Sequence, residues 1–228
     1  MVEPPVHYLW ILRHAKAASD APWGGSDKDR PLTARGRRDA SALGRRLAAD
    51  PIDLRFGRRS GTEGPGGSER AGGSGGGDGE LDLDLDDGGS TGHATVRRPE
   101  IALCSAAVRT RQTADLVLEG MGGERPVSAY QSLYSADPDL VLQYVREIDE
   151  GVDSALLVGH NPTVFDLAFQ LLADPAVTTV APEFSDRDLL EVHGFPTCAL
   201  AVLSLAVGAW EDVAHGCGTL AGVFKPPY

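Results

Sequence analysis

Cysteine is scarce in this chain of 228 residues: Cys104, Cys198 and Cys217 are the only three, in no CxxC pair and odd in number. That excludes a disulfide framework and favours a reducing cytoplasm. No glycine-lysine pair occurs anywhere in the sequence, which removes a P-loop nucleotide site. No run approaches the ~18 consecutive apolar residues of a membrane span, and no basic segment with a long apolar run opens the chain. A soluble, cytoplasmic protein with no membrane partner is the expectation. Positive charge is the minority, 21 Lys and Arg against 33 Asp and Glu, for a formal net charge of -12. Nucleic acid is therefore not an expected partner, since its binding needs a basic stripe. A small positive pocket remains open, because a pocket is defined by its own few residues. His7, His93, His193 and His215 form no i,i+4 or HxH pair, so no metal site is expected. A cysteine-phosphatase loop of the Cys-x5-Arg kind fails by counting: only Ser105 to Val108 separate Cys104 from Arg109.

What is present is an ordinary globular composition, 42% hydrophobic and 24% charged, long enough for one domain with a sizeable core. Glycine and acidic residues crowd one stretch, from about Gly57 to Thr95, at a density no packed element tolerates. That stretch reads as a flexible insertion into a single domain spanning 1–228. Its alternating Asp82, Asp84 and Asp86 look superficially like a calcium loop. Asp87 in the sixth position and His93 in the twelfth depart from that pattern.

Elsewhere strand and helix patterns alternate. HYLWILR (His7 to Arg13), IALCS, PVSAY and SALLVGH are short apolar runs of strand length. Between them, Thr33 is placed to cap a helix reaching about Ala49, and VRTRQTADLVLEG reads as a helix ending near Gly120 and Gly122. PDLVLQYVREID opens with Asp137 and Pro138, and NPTVFDLAFQLLA with Asn161 as cap and Pro162 in the first turn. TCALAVLSL, AWEDVAH and TLAGVFK look like strands that finish a sheet. Such alternation predicts an α/β three-layer sandwich with a mostly parallel central sheet.

Three strand-to-helix junctions carry unusual residues: Arg13-His14, Ser105 to Arg109, and Gly159-His160. Ligands of open α/β sheets sit at the carboxyl ends of strands, so these junctions are predicted to face one crevice. Two arginines, two histidines and helix N-termini describe a pocket for a compact dianion, phosphate above all. Ser105 and Thr110 are within reach of such an anion or serve as helix caps. Arg111 points elsewhere on its helix, and Lys16 either adds field to the pocket or is solvated.

These residues also carry a family resemblance. LRHAKA (Leu12 to Ala17) resembles the Arg-His-Gly motif of the histidine phosphatase superfamily, the phosphoglycerate-mutase-like group, with alanine after the histidine as in its small SixA-type phosphohistidine phosphatases. DRPLTARGRRDA (Asp29 to Ala40) resembles their Leu-Thr-x-x-Gly segment. SAAVRTRQTA (Ser105 to Ala114) resembles Ser-Pro-x-x-Arg-x-x-Gln-Thr-Ala, with Ala106 in place of proline, and LLVGHNP (Leu156 to Pro162) resembles the second-histidine motif. The resemblance implies a phosphoglycerate-mutase-like fold and a phosphatase that needs neither metal nor other cofactor.

It implies His14 as nucleophile, forming a phosphohistidine through a neutral imidazole, with Arg13, Arg109 and His160 holding the phosphoryl oxygens. Asp137 is the nearest candidate for a leaving-group acid, although an aspartate before proline and a helix is ordinarily a cap. A missing acid suits a phosphoramidate, whose imidazole leaving group can already carry its proton. The expected partner is accordingly a protein bearing phosphohistidine. Two alternatives stay open: a phosphatase of small phosphate esters, and a catalytically idle phospho-binding protein.

Overall fold

The computed structural model describes residues 7–49, 96–173 and 194–228, with Asp188, Leu190 and Glu191 between the last two stretches. The glycine-rich segment expected at about 57–95 lies outside the described residues, as do His93 and His193. The strands are β1 (His7–Arg13), β2 (Ile101–Ser105), β3 (Val127–Tyr130), β4 (Ser154–Gly159), β5 (Leu200–Leu205) and β6 (Gly218–Phe224). The helices are α1 (Ala34–Ala49), α2 (Val108–Gly120), α3 (Pro138–Arg146) and α4 (Thr163–Leu171).

One six-stranded sheet runs in the order β3-β2-β4-β1-β5-β6. β3, β2, β4 and β1 are mutually parallel, while β5 runs antiparallel to both β1 and β6. The reason lies in the side-chain period of two. Along β1, Leu9 and Ile11 face the layer containing α3 and α4, whereas Tyr8, Trp10 and Leu12 face the layer containing α1 and α2. β4 repeats this, with Ala155 and Leu157 on one face and Leu156 and Val158 on the other. A strand covered on both faces must be apolar at every position, which is why these segments read as continuous runs rather than alternating ones. The three-layer α/β sandwich expected from the sequence is the observed fold.

Two local expectations are corrected. AWEDVAH is not a strand: Trp210–Asp212 form a 3₁₀ turn in which the Trp210 indole donates to the Val152 carbonyl (2.6 Å). Asn161 does not cap α4; its Nδ2 donates to the Phe195 carbonyl (3.1 Å) and the helix begins after Pro162. Thr33 does cap α1, accepting the Gly36 amide (3.0 Å) and donating to the Lys16 carbonyl (3.0 Å). That second bond ties the start of α1 to the loop that follows His14.

Register aligns the strand ends that matter. Arg13 lies opposite Gly159, and Cys104 opposite Val158, so β1, β4 and β2 finish side by side at their carboxyl ends.

Candidate active site

Because three adjacent strands end together, the residues that leave them meet. The rings of His14 and His160 are 5.1 Å apart, edge to face, although 146 positions separate them in sequence. The His14 amide donates to the Gly159 carbonyl (3.0 Å), stitching one junction to the other. Gly159 leaves room for this junction, since a Cβ would stand 2.4 Å from Val164 Cγ1 and force that side chain to shift.

The protonation state of His14 follows from its neighbour. Its Nδ1 lies 2.8 Å from the Ala15 carbonyl, which only accepts, so Nδ1 carries the proton and Nε2 keeps its lone pair. Ala15 is itself held, its amide donating to Thr113 Oγ1 (3.0 Å), whose hydroxyl donates to the Arg109 carbonyl (2.6 Å). Burial, followed by the charges of Arg109, Arg13 and Arg30, pushes the imidazole pKa down to about 4 despite the Ala15 bond. His14 is therefore neutral near pH 7. His160 bonds through Nε2 to Ser105 Oγ (2.9 Å). Burial, then the charges of His14 and Arg109, lowers it to about 3.

Both arginines are fixed by carbonyl groups. Arg13 donates from Nη1 to the Phe195 carbonyl (2.8 Å), the same oxygen that receives Asn161. Arg109 is 5% exposed and donates from Nη1 to the Asp27 carbonyl (2.7 Å) and from Nη2 to Asp27 Oδ2 (2.9 Å). The Nε–H groups of Arg13 and Arg109 are buried with no hydrogen-bond partner among the described residues. Buried donors of that kind normally find an acceptor, and a phosphoryl oxygen is a suitable one.

All four residues singled out by the junctions thus come together. Asp137 is engaged elsewhere, capping α3 by accepting the Leu140 amide on Oδ1 (2.8 Å). Thr110 turns its hydroxyl to the Ser105 and Ala107 carbonyls (2.6 and 2.7 Å), and Arg111 and Lys16 are exposed. Three further residues belong to the site. Arg30 acts electrostatically on His14, and Asp27 on His160. Tyr134 packs edge-on to His160 with 5.6 Å between rings and donates its hydroxyl to Asp27 Oδ2. Arg30 lies in the DRPLTARGRRDA segment, whose resemblance rests on Leu-Thr-x-x-Gly and does not single out this arginine. Asp27 and Tyr134 carry no local signal, being brought in by two 3₁₀ turns, Asp27–Asp29 and Ser132–Tyr134. Among the described residues no group of three or more His, Cys, Asp or Glu side chains is arranged to hold a metal ion. None of the described helices is long and apolar enough to cross a membrane.

No protein-family model matches the chain. Its relatives include the uncharacterized protein Rv1276c of Mycobacterium tuberculosis, 30% identical over 216 residues that cover 94% of this chain and 99% of that protein. Among solved structures, "Putative Phosphohistidine Phosphatase SixA from Nakamurella multipartitia" superimposes with a TM-score of 0.66 at 25% identity, covering 98% of both chains. The "putative phosphohistidine phosphatase SixA from Agrobacterium tumefaciens" shares the fold at a TM-score of 0.60 and 24% identity, over 96% of this chain and 98% of that one. With its four motifs in order and this fold shared over nearly its whole length, the chain belongs to the histidine phosphatase superfamily, the phosphoglycerate-mutase-like group that contains the SixA-type proteins.

Proposed function

We propose that the chain is a metal-independent phosphatase that works through a phosphohistidine on His14, with a phosphohistidine-bearing protein as its substrate. One observation carries the reading: His14 holds its proton on Nδ1 against the Ala15 carbonyl, leaving Nε2 free as a nucleophile amid three guanidinium charges. In the first step Nε2 attacks phosphorus in line and the substrate's nitrogen–phosphorus bond breaks. The departing imidazole leaves neutral when its other ring nitrogen already carries a proton. Water then attacks the phosphoenzyme, releasing inorganic phosphate and returning the electron pair to Nε2. Arg13, Arg109 and His160 hold the equatorial oxygens, and such positioning and charge stabilisation supply most of the catalysis in phosphoryl transfer.

The leaving group is argued from the carboxylates. Asp137 is occupied as a helix cap, and Asp27 is kept ionised by its hydrogen bond from Tyr134 and by Arg109 and Arg30. Neither is a ready proton donor for an alkoxide, which favours a phosphoramidate over an ester. The test compares turnover of a phosphohistidine protein and of a sugar phosphate by the wild-type chain and His14→Ala. Hydrolysis of the first, lost in the variant, is the expected result. Turnover of the sugar phosphate alone contradicts the substrate assignment, and phosphate binding with no turnover contradicts the enzymatic one.

A further inference from the structure

Arg109 raises a question that the proposed reaction leaves unanswered. A guanidinium buried to 5% exposure needs an anion, and in the phosphatase reading that anion comes and goes with each turnover. Its permanent partner is Asp27, which lies 82 positions away in sequence, on the 3₁₀ turn Asp27–Asp29 between β1 and α1. The contact is two-pointed, because the carbonyl of Asp27 takes Nη1 and its carboxylate takes Nη2. Two bonds from one residue to the two terminal nitrogens occupy the end of the fork and fix its plane. What remains is the side-on edge, formed by Nε–H and its neighbouring N–H, and Nε is the atom without a hydrogen-bond partner among the described residues.

The same carboxylate reaches two other members of the site. Asp27 Oδ1 pairs with Arg30 Nε (2.7 Å), and Oδ2 also receives the Tyr134 hydroxyl. Tyr134 in turn flanks His160, and Arg109 lies near its ring, 5.8 Å from Cζ to the centroid. Asp27 is thus the common partner of three side chains that surround the two histidines, hydrogen-bonded to Arg109 and Tyr134 and ion-paired with Arg30.

We propose that Asp27 is a positioning residue, whose carboxylate and carbonyl together aim the side-on edge of Arg109 at the transferring phosphoryl group. The inference rests on the phosphatase reading above. Asp27 does not touch the phosphoryl group and does not transfer a proton. Its negative charge opposes binding of an anion at rest, whereas its two-point grip favours the one orientation of Arg109 that serves the transition state. Loss of the charge therefore separates binding from turnover, because ground-state affinity and transition-state alignment respond in opposite directions.

The experiment measures hydrolysis of a phosphohistidine peptide and inhibition by inorganic phosphate for the wild-type chain, Asp27→Asn, Arg109→Lys and the double variant. Asp27→Asn is expected to lower kcat by about 10- to 100-fold, while the phosphate inhibition constant stays within about threefold or tightens. In the Arg109→Lys background, which has no fork to aim, Asp27→Asn is expected to cost less than about threefold. Tyr134→Phe removes one anchor of Asp27 and leaves its charge. It is expected to give a smaller kcat loss with the same pattern, and it serves if Asp27→Asn does not fold. Unchanged kcat in Asp27→Asn or, if that variant is unfolded, in Tyr134→Phe overturns the proposal, and so does an equal loss with and without Arg109. A wild-type chain that hydrolyses no phosphohistidine peptide takes down the phosphatase reading and this inference with it.

Discussion

At the scale of single residues, the candidate site holds two histidines neutral among arginines. His14 titrates near pH 4 rather than 6.5, so its lone pair is available throughout the neutral range. kcat/KM is accordingly expected to stay level from about pH 7 to about pH 5 and to fall only towards pH 4, as read from initial rates; an acid limb centred near 6.5 would contradict this. Arg109→Ala removes a pre-organised donor and is expected to cost on the order of 3 kcal/mol, a loss of about two orders of magnitude in kcat. The convergence of Arg13, His14, Arg109 and His160 on one place was legible because the motifs themselves carry these residues. It was not legible for Asp27, which is one aspartate in an acidic chain until the fold sets its carboxylate 2.9 Å from Arg109.

At the scale of elements, the helices of one layer are pressed together by glycine. α1 and α2 approach so closely at Gly44 that a Cβ there would lie 2.4 Å from the Val117 carbonyl. Gly36, in the first turn of α1, is tighter still, with a Cβ 2.2 Å from the Lys16 carbonyl. Overpacking of this kind typically costs about 1–3 kcal/mol. Gly44→Ala is expected to lower the midpoint of thermal unfolding while leaving kcat of the folded protein near wild type. Gly36→Ala is expected to lower both, because Lys16 follows directly on the His14–Ala15 peptide; equal kcat in the two variants would contradict that distinction.

Most elements could be read from the sequence because a strand buried on both faces and an amphipathic helix leave different patterns. AWEDVAH failed for a physical reason: a buried Trp210 beside Glu211 and Asp212 resembles an alternating strand, yet the indole serves as a plug whose N–H bonds to Val152. Asn161 failed as a cap because the helix starts one residue later than the pattern suggests, with Pro162 at the cap position, and the Asn161 side chain is turned to donate to the Phe195 carbonyl instead.

At the scale of the whole molecule, the neutral histidines link function to stability. In the unfolded chain both imidazoles protonate near pH 6.5, while in the fold they resist protonation until about 4 for His14 and about 3 for His160. Between those values the unfolded state binds more protons, so stability rises with pH through this window and is fully regained above it. His14 alone accounts for roughly 3 kcal/mol of that dependence, and the pair titrates jointly rather than additively. Chemical denaturation is expected to show stability declining from about pH 6.5 to about pH 4, with a shallower decline in His160→Gln. An unchanged slope in that variant would contradict the assignment.

The convergence of distant motifs was legible at this scale because a parallel sheet offers one place, its carboxyl edge, where such junctions meet. The measurement that tests the central claim most directly is to trap the phosphorylated chain with labelled phosphohistidine protein, map the label and determine its lability. A label on the peptide containing His14, lost in acid and retained in alkali, is the predicted result. A label on a serine, or one that survives in His14→Ala, would contradict the account.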